Sequence, residues 1–181
     1  MNNISKEQIL DLCKKYDSEN QLDNSVEKRL GSNFITSKEM SKEELKKVIQ
    51  WKFNDNKARL KRELNLVDKN DDTTIKELSK CAFNTGNDDI RIKHLCNIKG
   101  IGPAVASAIL TFYDPKNFGV FDIHVYDELF DTDSKTRPDM SNPELYIKLL
   151  NKLREEAINH NLNVRIIEKA YYQKNIDKAR N

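Results

Sequence analysis

From Ala104 to Tyr113 the chain is apolar on most sides when wound as a helix, so this segment must be buried almost all round. It starts at Gly102-Pro103, with proline placed where a helix opens, and Asp114-Pro115 ends it. A helix of this kind needs partners on every side. Elsewhere the apolar residues recur every three to four positions, and strict alternation over strand length is scarce, so the partners are helices and the fold class is all-α.

Local signals place most of them. Ser5 with Gln8 forms a capping box ahead of Ile9, Leu10, Cys13 and Tyr16, and Ser41 with Glu44 repeats it ahead of Leu45, Val48, Ile49 and Trp51. A helix over about Lys57 to Leu66 is followed by the Asp-rich turn 68–72. The next helix runs through Ile75, Leu78, Ala82 and Phe83 and stops at Asn84–Asn87. Another, from Asp89, carries Ile92, Leu95 and Cys96. Phe121 to Phe130 reads as a short helix and Asp131 to Asn142 as a polar loop. Asn142-Pro143-Glu144 then caps a helix striped with Leu145, Leu149, Leu153 and Ala157, and a last helix holds Val164, Ile167 and Tyr171. No repeat or linker divides the 181 residues, so a single domain is expected over 1–181.

Composition excludes several classes. The longest apolar stretch is far short of a bilayer span, and the start Met1-Asn2-Asn3-Ile4 has no apolar leader core, so a cytoplasmic protein without membrane contact is expected. Cys13, Cys81 and Cys96 are odd in number and widely spaced, which suits buried thiols; His94 and Cys96 with Cys81 lack a fourth ligand for zinc. The net charge of +2 is uneven. Residues 42–66 hold 8 Lys/Arg against 4 Asp/Glu, 143–181 hold 8 against 5, and 100–140 hold 3 against 7. Two basic flanks can bind phosphates, and they can equally be solvated helix faces.

Chemistry concentrates at Lys99-Gly100-Ile101-Gly102-Pro103. Two glycines one residue apart between helices give a tight turn with bare amides, and without Cβ atoms a phosphate backbone can approach them. The run Leu95 to Ala108 resembles the helix-hairpin-helix DNA-binding motif. Beyond it, Val120-Phe121-Asp122-Ile123-His124-Val125 resembles the segment bearing the catalytic aspartate in the helix-hairpin-helix (HhH-GPD) base-excision DNA glycosylases, a superfamily related to endonuclease III. Asp122 follows Gly102 by 20 residues (122 − 102), the interval found in that family. The resemblance covers about Asp89 to Leu129.

It implies a two-lobed helical domain. Residues 89–113 form the helix-hairpin-helix, 114–130 carry the aspartate, and the N- and C-terminal helices form a partner lobe with the base-binding cleft between. It further implies a monomer acting on double-stranded DNA, with Asp122 catalytic and Lys99, Gly100, Ile101, Gly102, Pro103, Ala104 and His124 at the DNA. A monovalent cation on the backbone carbonyls of Cys96, Ile98 and Ile101 is also implied. Ala104 stands where backbone-cleaving members carry a lysine, and no cysteine follows Cys96 to hold an iron–sulfur cluster. The expectation is therefore a monofunctional glycosylase that needs no cofactor, serving base-excision repair or phage defence against modified bases. The alternatives are a DNA-binding module in which Asp122 only caps a helix, and a His124 that braces the structure. Tyr171 and Tyr172 are candidates to line nucleic acid, and the loops 84–87 and 131–142 are candidates to fill the gap left by a flipped base.

Overall fold

Ten α-helices and no strand make up Ile4–Arg180, the residues described by the computed structural model. Met1–Asn3, in the start read above for a leader, and Asn181 lie outside them. In chain order they are α1 Lys6–Glu19, α2 Gln21–Ser37, α3 Lys42–Lys52, α4 Lys57–Val67, α5 Asp72–Asn84, α6 Asp88–Cys96, α7 Pro103–Tyr113, α8 Ile123–Phe130, α9 Pro143–His160 and α10 Val164–Arg180. The all-α expectation holds, and no described helix is long and apolar enough to cross a membrane.

The caps act as their spacing requires. The Ser5 hydroxyl accepts from the Gln8 amide while the Gln8 side chain accepts from the Ser5 amide, and Ser41 and Glu44 repeat the exchange on α3. Asp71, Asn87 and Asn142 cap α5, α6 and α9. Three expectations are corrected. The periodicity reading assigns no element to 21–37, yet α2 fills it, burying Glu27, Leu30, Gly31 and Phe34. The helix expected from Phe121 begins at Ile123, because Asp122 caps it. Cys81 is exposed rather than buried; Cys13 is buried and Cys96 partly so.

α7 is the centre, with nine of its eleven residues buried. It packs against α2, α3, α6 and α9. The approach to α2 is backbone-close: a Cβ on Gly31 would lie 2.3 Å from the Phe112 carbonyl oxygen, so no side chain fits there. Helices α2 to α7 pack largely among themselves, as do α1, α8, α9 and α10. The two sets join where α9 meets α6 and α7, and where α1 meets α2.

Between α7 and α8 the chain runs back along α7. The amides of Val164 and Arg165, at the start of α10, donate to the carbonyls of Lys116 and Pro115. Phe118, Val120 and Phe121 are buried, and the Phe121 amide donates to the buried Ser107 hydroxyl at 2.8 Å. That hydroxyl donates in turn to the Ala104 carbonyl. One serine thus fixes residue 121 to the first turn of α7 and sets where Asp122 emerges.

Candidate functional site

The turn between α6 and α7 is held from outside by one side chain. Asn70, in the turn that follows α4, donates to the Lys99 carbonyl at 2.9 Å and accepts from the Lys99 amide at 3.0 Å. Gly100 has φ +91°, and a Cβ there would meet the Glu63 carbonyl oxygen at 2.9 Å. Conformation and space both demand glycine. Gly102 is different: its φ is −101° and a Cβ would enter open space. The amides of Gly100 and Gly102 donate to no described residue, and that of Ala104 is one of the free donors of the α7 N-terminus. Lys99 is exposed and makes no ion pair among the described residues.

The two glycines therefore predict different losses. Gly100→Ala forces an L-residue into the left-handed region at about 1–2 kcal/mol, with the contact to α4 added, and will lower the melting temperature. Gly102→Ala will melt like the parent, because its Cβ enters open space. Thermal melts check both; equal melting temperatures for the two variants would contradict the assignment.

Asp122 stands across a cleft from this turn. One of its carboxylate oxygens accepts from the His124 amide at 3.0 Å, capping α8, and the other accepts from Lys52 Nζ at 2.7 Å. Burial alone would raise the Asp122 carboxyl; the Lys52 ammonium and the His124 amide outweigh it and hold it below the usual aspartate range. Asp122 is thus an ionised, partly buried group, fixed by a cap on one side and a cation on the other. Lys52, in the last turn of α3, is the residue that sequence reasoning missed. Seventy positions separate the partners, and no local pattern announces the pair.

The cleft has a volume of about 650 Å³, within the roughly 300–1,000 Å³ of small-ligand sites. The turn 100–104 forms one wall, α4 another through Arg59, Arg62 and Leu66, and Phe121–Ile123 with Lys52 a third. Asp139, Met140 and Ser141 close it, so of the two candidate loops 131–142 borders the site and 84–87 does not. That loop is anchored by Arg137, whose guanidinium pairs with Asp127 on α8.

Of the residues named from sequence, Gly100, Ile101, Gly102, Pro103, Ala104 and Asp122 line this one cleft. His124 does not. Its ring contacts Asn175 through Nδ1 at 2.8 Å and meets Tyr172 edge-on, which favours bracing against α10. Tyr171 is buried and is withdrawn as a nucleic-acid contact. Asp127 and Glu128 are tied to Arg137 and to Lys174 and Lys178, and neither faces the cleft. Burial pushes the Cys13 and Cys96 thiols up to about 11, against thiolate chemistry. No protein-family model, curated protein or solved structure matches the chain.

Proposed function

We propose that this protein is a monofunctional DNA glycosylase of the helix-hairpin-helix type, which hydrolyses the N-glycosidic bond of a modified or damaged base and leaves an abasic site. One observation carries the reading: an ionised, partly buried Asp122 faces a turn of unpaired amides across a cleft of about 650 Å³. Loss of a base passes through an oxocarbenium-like sugar. A fixed carboxylate under C1′ stabilises that cation and orients or deprotonates the attacking water. The target nucleotide is flipped out of the stack into the cleft, while the amides of Gly100, Gly102 and Ala104 take a backbone phosphate and Lys99 adds charge beside it. The two packing sets serve as the two lobes in this reading, with a different division from the one expected: α8, which follows Asp122, groups with the terminal helices α1, α9 and α10, while the hairpin groups with α2 to α5. The carbonyls of Cys96 and Ile101 accept no hydrogen bond from the described residues, while that of Ile98 accepts from the Ile101 amide; a monovalent cation would be held by these three beneath the turn and would supply positive charge toward a phosphate.

Ala104 supplies no amine, and Lys52 is engaged by Asp122, so hydrolysis leaves the sugar–phosphate chain intact. Product strands will break only on heating in alkali, and borohydride will trap no covalent protein–DNA adduct. An adduct would contradict the hydrolytic reading and point to Lys52 as the amine.

Lys52 positions and charges Asp122 without itself reacting. While it stays, Asp122 remains ionised as pH falls through the ordinary aspartate range. In Lys52→Gln burial is opposed only by the contacts from His124, so protonation occurs at higher pH and the acid limb of the rate profile moves up, whereas Lys52→Arg restores it. Superimposable acid limbs for the parent and Lys52→Gln would remove Lys52 from the site.

A second reading, a DNA-binding module without catalysis, is favoured by the double engagement of Asp122 as helix cap and ion-pair partner. It predicts DNA binding and no base release from any duplex.

A further inference from the structure

We infer that α4 is a second phosphate-binding wall of this site, with Arg59 and Arg62 taking the backbone of the strand that enters the cleft; the inference rests on the DNA reading above. α4 carries Lys57, Arg59, Lys61 and Arg62 against the single acidic residue Glu63, and all four cationic residues are exposed. Arg59 and Arg62 fall on the side of the helix that lines the cleft.

Position makes this charge more than a solvated face. α4 lies directly against the turn, since a Cβ on Gly100 would touch Glu63, Leu66 and Val67, and Asn70, just beyond the helix, holds Lys99 on both backbone atoms. The free amides of the turn and the two guanidinium groups thus border one opening. Glu63, buried at 8% exposure, organises the arginines. Its Oε1 accepts from Arg62 Nη2 at 2.6 Å and lies 3.9 Å from Arg59 Nε, while the Arg59 guanidinium sits 4.3 Å over the Phe53 ring. One carboxylate serves two guanidinium groups, which leaves excess positive charge and unused N–H donors facing outward. Planar forks held in this way suit phosphate oxygens. Lys57 and Lys61 make no ion pair among the described residues and extend the same cationic surface. A phosphodiester strand is the partner that this charge, beside bare amides, complements.

The test is a titration of a labelled duplex against each protein over a series of salt concentrations. Neutralising two phosphate contacts in Arg59→Gln/Arg62→Gln will make the slope of log affinity against log salt shallower by about 1.8. Arg59→Lys/Arg62→Lys will keep the parental slope, as will Lys28→Gln/Arg29→Gln, on exposed positions of α2 that line no part of the cleft. If the double glutamine variant does not fold, adding Glu63→Gln removes the orphaned carboxylate and the same slope is read. A parental slope in the folded glutamine variant overturns the role of α4 and leaves the DNA reading standing. A parent protein that binds no duplex at any salt overturns both.

Discussion

Replacing Asp122 by asparagine will slow base release by at least about a hundredfold while DNA affinity stays level or tightens. The amide keeps the volume of the carboxylate and still accepts from the His124 amide, so α8 remains capped. What disappears is a full negative charge at a partly buried position, and preorganised charge of that kind contributes on the order of 3 kcal/mol or more to a barrier. On the proposed DNA reading affinity does not suffer, because the lost group would be an anion beside phosphates, and Lys52, freed of its partner, adds positive charge. A purely capping Asp122 predicts equal rates. Equal excision by both proteins on a duplex that is cleaved would therefore remove Asp122 from the chemistry, and Asp127 and Glu128 offer no ready substitute, since both are paired away from the cleft.

The largest effect on stability is expected at Arg165, which is 4% exposed. Its guanidinium pairs with Glu27 of α2 at 2.8 Å and with Glu168 one turn on, and it lies over the rings of Tyr16 and Trp51. Four helices meet on this one cation. Arg165→Met keeps the packing length and leaves two buried carboxylates unpaired, a loss of about 3–5 kcal/mol, or roughly 6–20 °C in melting temperature for a chain of this size. Burial already raises the Glu168 carboxyl against the pull of Arg165. Without the arginine that carboxyl is pushed further up, so the variant gains stability by taking up a proton there and its deficit shrinks as pH falls. Adding Glu27→Gln and Glu168→Gln will recover part of the loss at neutral pH. A deficit independent of pH would show that packing dominates. The cluster also matters to the site: Trp51 precedes Lys52 on α3, so what fixes Trp51 against α10 helps hold Lys52 at Asp122.

Where sequence and structure agree, the determinants are local. Ser5, Ser41, Asp71 and Asn142 act on amides two or three residues away, and the apolar run 104–113 needs no partner to announce its burial. α2 escaped because its buried face includes Glu27 and Gly31, which break an apolar stripe, and because Asn20 makes no side-chain cap. Both residues are explained only by distant partners, Arg165 and the Phe112 backbone. The candidate site divides in the same way. Gly100, Gly102 and Asp122 were legible from spacing, but the difference between the two glycines depends on α4, and Lys52 on a contact across the fold. His124 and Tyr171 carry side chains that suit DNA and are instead directed toward α10 and the core.

The central claim is that this cleft hydrolyses a base from DNA. The most direct measurement is to incubate the protein and Asp122→Asn with duplexes each bearing one modified or damaged base, then score free base by mass spectrometry and strand breaks after hot alkali. The account predicts that the parent releases base from at least one duplex, that breaks appear only after alkali, and that Asp122→Asn lags by about a hundredfold or more. DNA that is bound yet returned with every base in place across the panel would contradict it.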